Sequence, residues 1–174
     1  MRKKLICFLL TSLVAINVFG QKQMLFSGSL EQVKNAGKMA VKFDFSNARI
    51  HEMTEEEFSL YETDWKKDQP QIYKDMIEEL QKKVKPWLVV GPFKAAPYTM
   101  IISVHSISLQ GDFLFDADIV NENNEIIASI KDQYAQGGRC GTALNLVKDG
   151  AESVGEVLGY ALKRNLLYIK RKKK

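Results

Sequence analysis

The stretch Phe113-Leu114-Phe115-Asp116-Ala117-Asp118-Ile119-Val120 alternates, and that alternation decides the fold class. Phe113, Phe115, Ala117 and Ile119 fall on one side, and Leu114, Asp116, Asp118 and Val120 on the other. A period of two is strand geometry, because successive side chains point to opposite faces of a sheet. Asn121-Glu122-Asn123-Asn124 carries turn chemistry. Residues 125–131 then bring the chain back, with Ile126, Ala128 and Ile130 as the apolar side. This reads as a β-hairpin with one face to bury.

Working outward, residues 98–109 are rich in Ile, Val, Ser and Thr, which suit a strand better than a helix, and Gly111-Asp112 turns the chain. Met39, Val41, Phe43 and Phe45 alternate with Ala40, Lys42 and Asp44 in a further half-buried strand, closed by Ser46-Asn47. Thr54-Glu55-Glu56-Glu57 predicts a capping box at a helix start. Phe58, Tyr61 and Trp65 follow at helical spacing. Pro70 interrupts that helix or restarts it, and Tyr73, Met76, Ile77, Leu80 and Val84 form a stripe stopped by Pro86. Downstream, Leu144, Val147, Ala151, Val154, Leu158 and Leu162 predict a last helix, with Lys148, Glu152, Glu156 and Lys163 on its solvated face. Gly155 and Gly159 in that helix are read as a close approach to the sheet. The expected fold is α+β: a mostly antiparallel sheet with helices packed on one face, a two-layer sandwich. Phe43, Phe45, Phe115, Ile119, Val154 and Leu158 are expected to share one core.

The chain has 174 residues, about one domain's length. Residues 1–20 combine basic Arg2, Lys3 and Lys4, an apolar run over 5–16, and Val18 and Gly20 before a cut at Gln21. This is a signal-peptide pattern, and its apolar run falls short of the roughly 20 residues that span a bilayer. Cys7 sits inside the run, without the surroundings of a lipidated Cys. Residues 21–38 read as a lead-in segment or irregular first strand, 39–169 as a single α+β domain and 170–174 as a basic tail. The net charge of +4 becomes +1 without Arg2, Lys3 and Lys4, and −4 without the five basic residues of the tail. An acidic body with a terminal basic tag argues against nucleic-acid binding.

Candidate chemistry is sparse. His51 and His105 have no metal-ligand spacing, and Cys140 is the one thiol outside the signal region. The histidines are read as structural; Cys140, near a helix start but without an evident base, is expected to be dispensable. Asp112, Asp116 and Asp118 share a strand face, which suits Ca²⁺ if loop carbonyls join, or a solvated surface that keeps the sheet soluble. Gly137, Gly138, Arg139 and Gly141 precede a helix, so their amides suit an anion or a plain flexible connection. Lys170, Arg171, Lys172, Lys173 and Lys174 complement a helix C-terminus or make loose contact with an anionic membrane surface. No catalytic residue, cofactor or metal is assigned.

Val41-Lys42-Phe43-Asp44-Phe45-Ser46, Met53-Thr54-Glu55-Glu56-Glu57-Phe58 and Tyr98-Thr99-Met100-Ile101-Ile102-Ser103-Val104 resemble uncharacterised secreted proteins of Gram-negative bacteria. In the order of its elements the chain also resembles the periplasmic TolB amino-terminal and CsgG-like domains. The resemblance implies an envelope location and carries no active-site residue. The expectation is an exported, non-catalytic envelope protein that binds an unknown envelope partner or itself. A small-ligand or polyanion binder is the alternative, and an enzyme of unfamiliar type comes behind both.

Overall fold

A computed structural model describes residues 25–172. Along the chain run β1 (Leu25–Gly28), α1 (Glu31–Ala36), β2 (Lys38–Asp44), β3 (Arg49–Ile50), α2 (Glu55–Tyr61) and α3 (Trp65–Val84). They are followed by β4 (Val89–Gly91), β5 (Tyr98–Ile107), β6 (Phe113–Asn121), β7 (Ile126–Ala135) and α4 (Ala143–Lys172). Seven strands form one sheet in the order β1-β7-β6-β5-β2-β4, with β3 paired to β5. The α+β class stands, but the sheet is mixed rather than mostly antiparallel. Pairings β1–β7, β5–β6 and β6–β7 are antiparallel, whereas β2–β4, β2–β5 and β3–β5 are parallel. The cause is the crossover: α2 and α3 lie between β2 and its two parallel neighbours and return the chain in the same direction. The expected signal segment lies outside the described residues. Part of the expected lead-in is regular structure: β1 edges the sheet on β7, and α1 ends at Gly37 in the left-handed region, φ 69°.

The capping box forms as expected. The Thr54 hydroxyl accepts from the Glu57 N–H at 3.2 Å, and the Glu57 carboxylate accepts from the Thr54 N–H at 2.8 Å. Thr54→Ala is expected to destabilise the protein by about 1 kcal/mol, measured as a lower urea midpoint.

The expected Phe58–Tyr61–Trp65 stripe is corrected. Helix α2 ends at Tyr61, which is 69% exposed, and a turn separates it from Trp65, the first residue of α3. Trp65 still meets Phe58 edge-on, with ring centroids 5.4 Å apart. Pro70 neither breaks nor restarts α3, which runs through it. Pro70 is the sixth residue of α3, beyond the first turn, so it costs one i→i−4 hydrogen bond, which the buried stripe from Ile72 onward outweighs. Ile72, Met76, Ile77, Leu80 and Val84 are buried, and α3 stops two residues before Pro86.

Phe45, Phe115, Ile119, Val154 and Leu158 are buried in one cluster, and Phe43 packs against it half-buried. Gly155 and Gly159 do not receive the sheet. A Cβ on Gly155 would lie 2.2 Å from the Met76 carbonyl oxygen, and one on Gly159 would lie 2.6 Å from Lys83 Cβ. They let α4 lie directly on α3, in parallel. The turn between β5 and β6 instead meets α4 near its start, where a Cβ on Gly150 would lie 1.9 Å from the Gly111 carbonyl oxygen. At the β4 edge the Gln81 side chain accepts from the Val90 N–H at 2.8 Å and donates to the Leu88 carbonyl at 3.0 Å.

Candidate functional site

The helices bury one face of the sheet, and the other face is polar. In register across it stand Lys42, Ile101, Asp118 and Ser129, then Asp44, Ser103 and Asp116. Two bulges reshape this face. His105 is the extra residue on β5, between Val104 opposite Phe115 and Ser106 opposite Leu114. Asp132 lies in the irregularity between Gln133 and Ile130 on β7, with φ 53°. A bulge re-aims side chains and changes which parity faces inward. Before it Ala128 and Ile130 are buried; after it Gln133 and Ala135 are. A further irregularity between Ile119 and Val120 turns Ile126 out, so the expected apolar position Ile126 is 61% exposed.

The bulges close a network around two carboxylates. Asp116 Oδ1 accepts from the Asp132 N–H at 2.7 Å, and Asp116 Oδ2 lies 3.4 Å from both His105 Nε2 and Lys131 Nζ. Lys131 Nζ reaches Asp118 Oδ1 at 2.8 Å, and the Ser129 hydroxyl donates to the same oxygen at 2.5 Å. Burial alone would raise the Asp116 pKa. The Asp132 N–H, Lys131 and His105 overcome that and hold it below the usual carboxylate range. Burial also opposes the charge of Lys131, but Asp118 and Asp116 outweigh it and raise its pKa.

These carboxylates therefore already have cationic and hydroxyl partners. Among the described residues no group of three or more His, Cys, Asp or Glu is arranged to hold a metal ion. Asp112 stands apart from Asp116 and Asp118: it accepts from the Gly137 N–H at 2.8 Å and from the Ser108 hydroxyl at 3.0 Å. A depressed carboxyl pKa contributes stability above the unfolded value near 3.9, lost as pH falls through the folded value. Asp116→Asn is thus expected to lower the melting temperature at pH 6, with its difference from the native protein shrinking below about pH 4. A gap that stays constant down to pH 2.5 would remove the ionised network from the account.

In the next row Leu114 and Tyr134 lie opposite each other, 48% and 54% exposed. The face thus offers fixed donors and acceptors beside an apolar and aromatic pair. Tyrosine beside ordered polar groups is a frequent composition for contact with another macromolecule.

Gly137 and Gly138 do not present a bare cradle of amides. The Gly137 N–H is bonded to Asp112, and a Cβ on Gly138 would lie 2.5 Å from Asp149 Oδ2. Arg139, Cys140 and Gly141 are exposed, and Cys140 is a free thiol. His51 is packed edge-on to Phe58 at 5.1 Å, with its Nε2 buried and without a hydrogen bond; burial lowers its pKa. Lys170 and Arg171 are exposed, and α4 continues through them to Lys172, so the tail begins as helix. Lys173 and Lys174 lie outside the described residues. No helix among the described residues is long and apolar enough to cross a membrane.

No family model and no curated protein matches the chain. Among solved structures it is similar to the PelC dodecamer from Paraburkholderia phytofirmans: TM-score 0.42, 12% identity, 76% of this chain and 91% of that one. A PelC variant from the same organism gives TM-score 0.39 at 14% identity, again over 76% of this chain and 91% of that one. The protein XCC0632 from Xanthomonas campestris, of family DUF330, gives TM-score 0.33 at 11% identity over 57% and 64%. These structures come from Gram-negative bacteria, and none of the three is a TolB or CsgG domain.

Proposed function

We propose that the chain is an exported, non-catalytic protein of the cell envelope that binds another envelope protein, or a second copy of itself, through the helix-free face of its sheet. The observation that carries the reading is the bulge-built network of His105, Asp116, Asp118, Ser129 and Lys131 beside exposed Leu114 and Tyr134. A chain whose sheet face served solubility alone would not need two register breaks and five interlocked side chains. Such a patch fits polar recognition: its groups are already oriented, so little side-chain freedom is lost on contact. Export is supported by the basic and apolar pattern of residues 1–20.

The test places a photo-crosslinking amino acid at Leu114, Tyr134 or, as control, Lys67 on the outer side of α3, in cells of the native host. A discrete adduct from Leu114 and Tyr134 but not from Lys67 is expected, together with an amino terminus at Gln21 in the exported protein. Equal adducts at all three positions would remove the special role of the sheet face. An intact Met1 in the exported fraction would remove the signal cleavage.

A further inference from the structure

We infer that the outward stripe of α4, running through Tyr160, Arg164, Leu167, Tyr168 and Arg171, is a docking surface for an anionic phospholipid membrane. The first observation is charge. Residues 157–174 hold seven basic and no acidic side chains, while the protein before them carries every one of its Asp and Glu residues. Helices α3 and α4 run parallel, so the last turn of α3 lies beside this half of α4; its Lys82 and Lys83 are paired with Glu79 and Glu156 and add no net charge to the stripe. Lys83 Nζ sits 4.7 Å from the centre of the Tyr160 ring.

The second observation is the arrangement around the helix. Leu158, Leu162, Leu166 and Ile169 are buried in the protein's own core. The apolar side of α4 is thus occupied, and the helix cannot enter a bilayer by it. What remains outward is a line of exposed Tyr160 and Tyr168, 54% and 57%, interleaved with exposed Arg164 and Arg171. Arginine pairs with lipid phosphates, and tyrosine rings sit at the headgroup level of a bilayer. Tyrosine and arginine also serve protein contacts. The run of five basic residues over 170–174, with no acidic residue after Glu156, favours a diffuse anionic surface over a single acidic partner.

The geometry sets an orientation. With the half of α4 beyond Glu156 against the lipid, the sheet is on the far side of the helix layer, and His105, Asp116 and Lys131 face away from the membrane. This orientation rests on the sheet-face reading of function; the lipid contact does not.

The experiment is flotation of purified protein comprising residues 21–174 with vesicles of neutral phosphatidylcholine alone, or with about one-third phosphatidylglycerol. Binding to the anionic vesicles only, lost in high salt, is expected. Each basic residue near such a surface contributes about fivefold in partitioning, so Arg164→Glu should reduce it at least that much. Tyr160→Ser with Tyr168→Ser should weaken it in low salt as well, with unchanged far-ultraviolet melting as the check on folding. A chain ending at Ile169 should bind more weakly, and its residual binding should still depend on Arg164. Native-like binding by Arg164→Glu would overturn the stripe. Equal binding to neutral vesicles, or retention on an acidic polysaccharide with no vesicle binding, would overturn the lipid. Failure here leaves the crosslinking at Leu114 and Tyr134 unaffected, so the two readings fail separately.

Discussion

Phe115→Ala is expected to lower the free energy of unfolding by about 3–5 kcal/mol. Phe115 is wholly buried on a strand with neighbours on both sides, opposite Val104 on β5 and Gln133 on β7. Its removal leaves a cavity that two hydrogen-bonded neighbours cannot readily collapse. In urea the midpoint should fall with the slope unchanged, because the surface exposed on unfolding stays nearly constant. Leu114→Ala, one residue away and half exposed, should stay within about 0.5 kcal/mol. Similar losses at the two positions would show that the faces of β6 have been assigned wrongly.

Gly155→Leu comes next in size, with an expected loss of about 1–3 kcal/mol. Replacing glycine in an open helix interior ordinarily helps by up to about 1 kcal/mol through helix propensity. Here the first added carbon would lie 2.2 Å from a backbone carbonyl of α3, which cannot swing aside as a side chain would. The two helices must separate, and packing shared by Met76, Leu80, Val154 and Leu158 loosens with them. Gly155→Ala should show the same sign at smaller size. A stabilised Gly155→Ala protein would mean that α3 and α4 do not approach this closely.

What the sequence discloses follows from how local each signal is. The alternation of Phe113, Phe115, Ala117 and Ile119 and the box from Thr54 to Glu57 involve neighbours, and both forms match their reading. Parallel or antiparallel pairing is settled by partners far along the chain, so β2 beside β5 was not legible. Phe58 and Trp65 are seven residues apart, the spacing of two helical turns, which conceals the break between α2 and α3. The bulges left a faint trace. Ile102 and Val104 are two apart but Val104 and Ile107 are three, a skipped step that marks His105. The alternation likewise falters after Ile130, which ends the expected strand at Lys131, whereas β7 resumes with Gln133 and Ala135 buried. The acidic side chains of the candidate site were therefore visible, while their partner was not: Lys131 lies 13 positions from Asp118 and meets it only through the hairpin.

The Gln81 carboxamide has a consequence for the company the molecule keeps. A strand at the end of a sheet carries unpaired N–H and C=O groups, a template on which a strand of a neighbouring molecule can grow. At β4 the amide of Gln81 already occupies the Val90 donor and the Leu88 acceptor. An incoming strand would have to displace it before forming its first pair of hydrogen bonds. One border of the sheet is thus stoppered by a single side chain, and polymerisation across it is discouraged without a charged or bulky guard. Gln81→Ala should unstopper it, seen as faster light-scattering growth on incubation at high protein concentration.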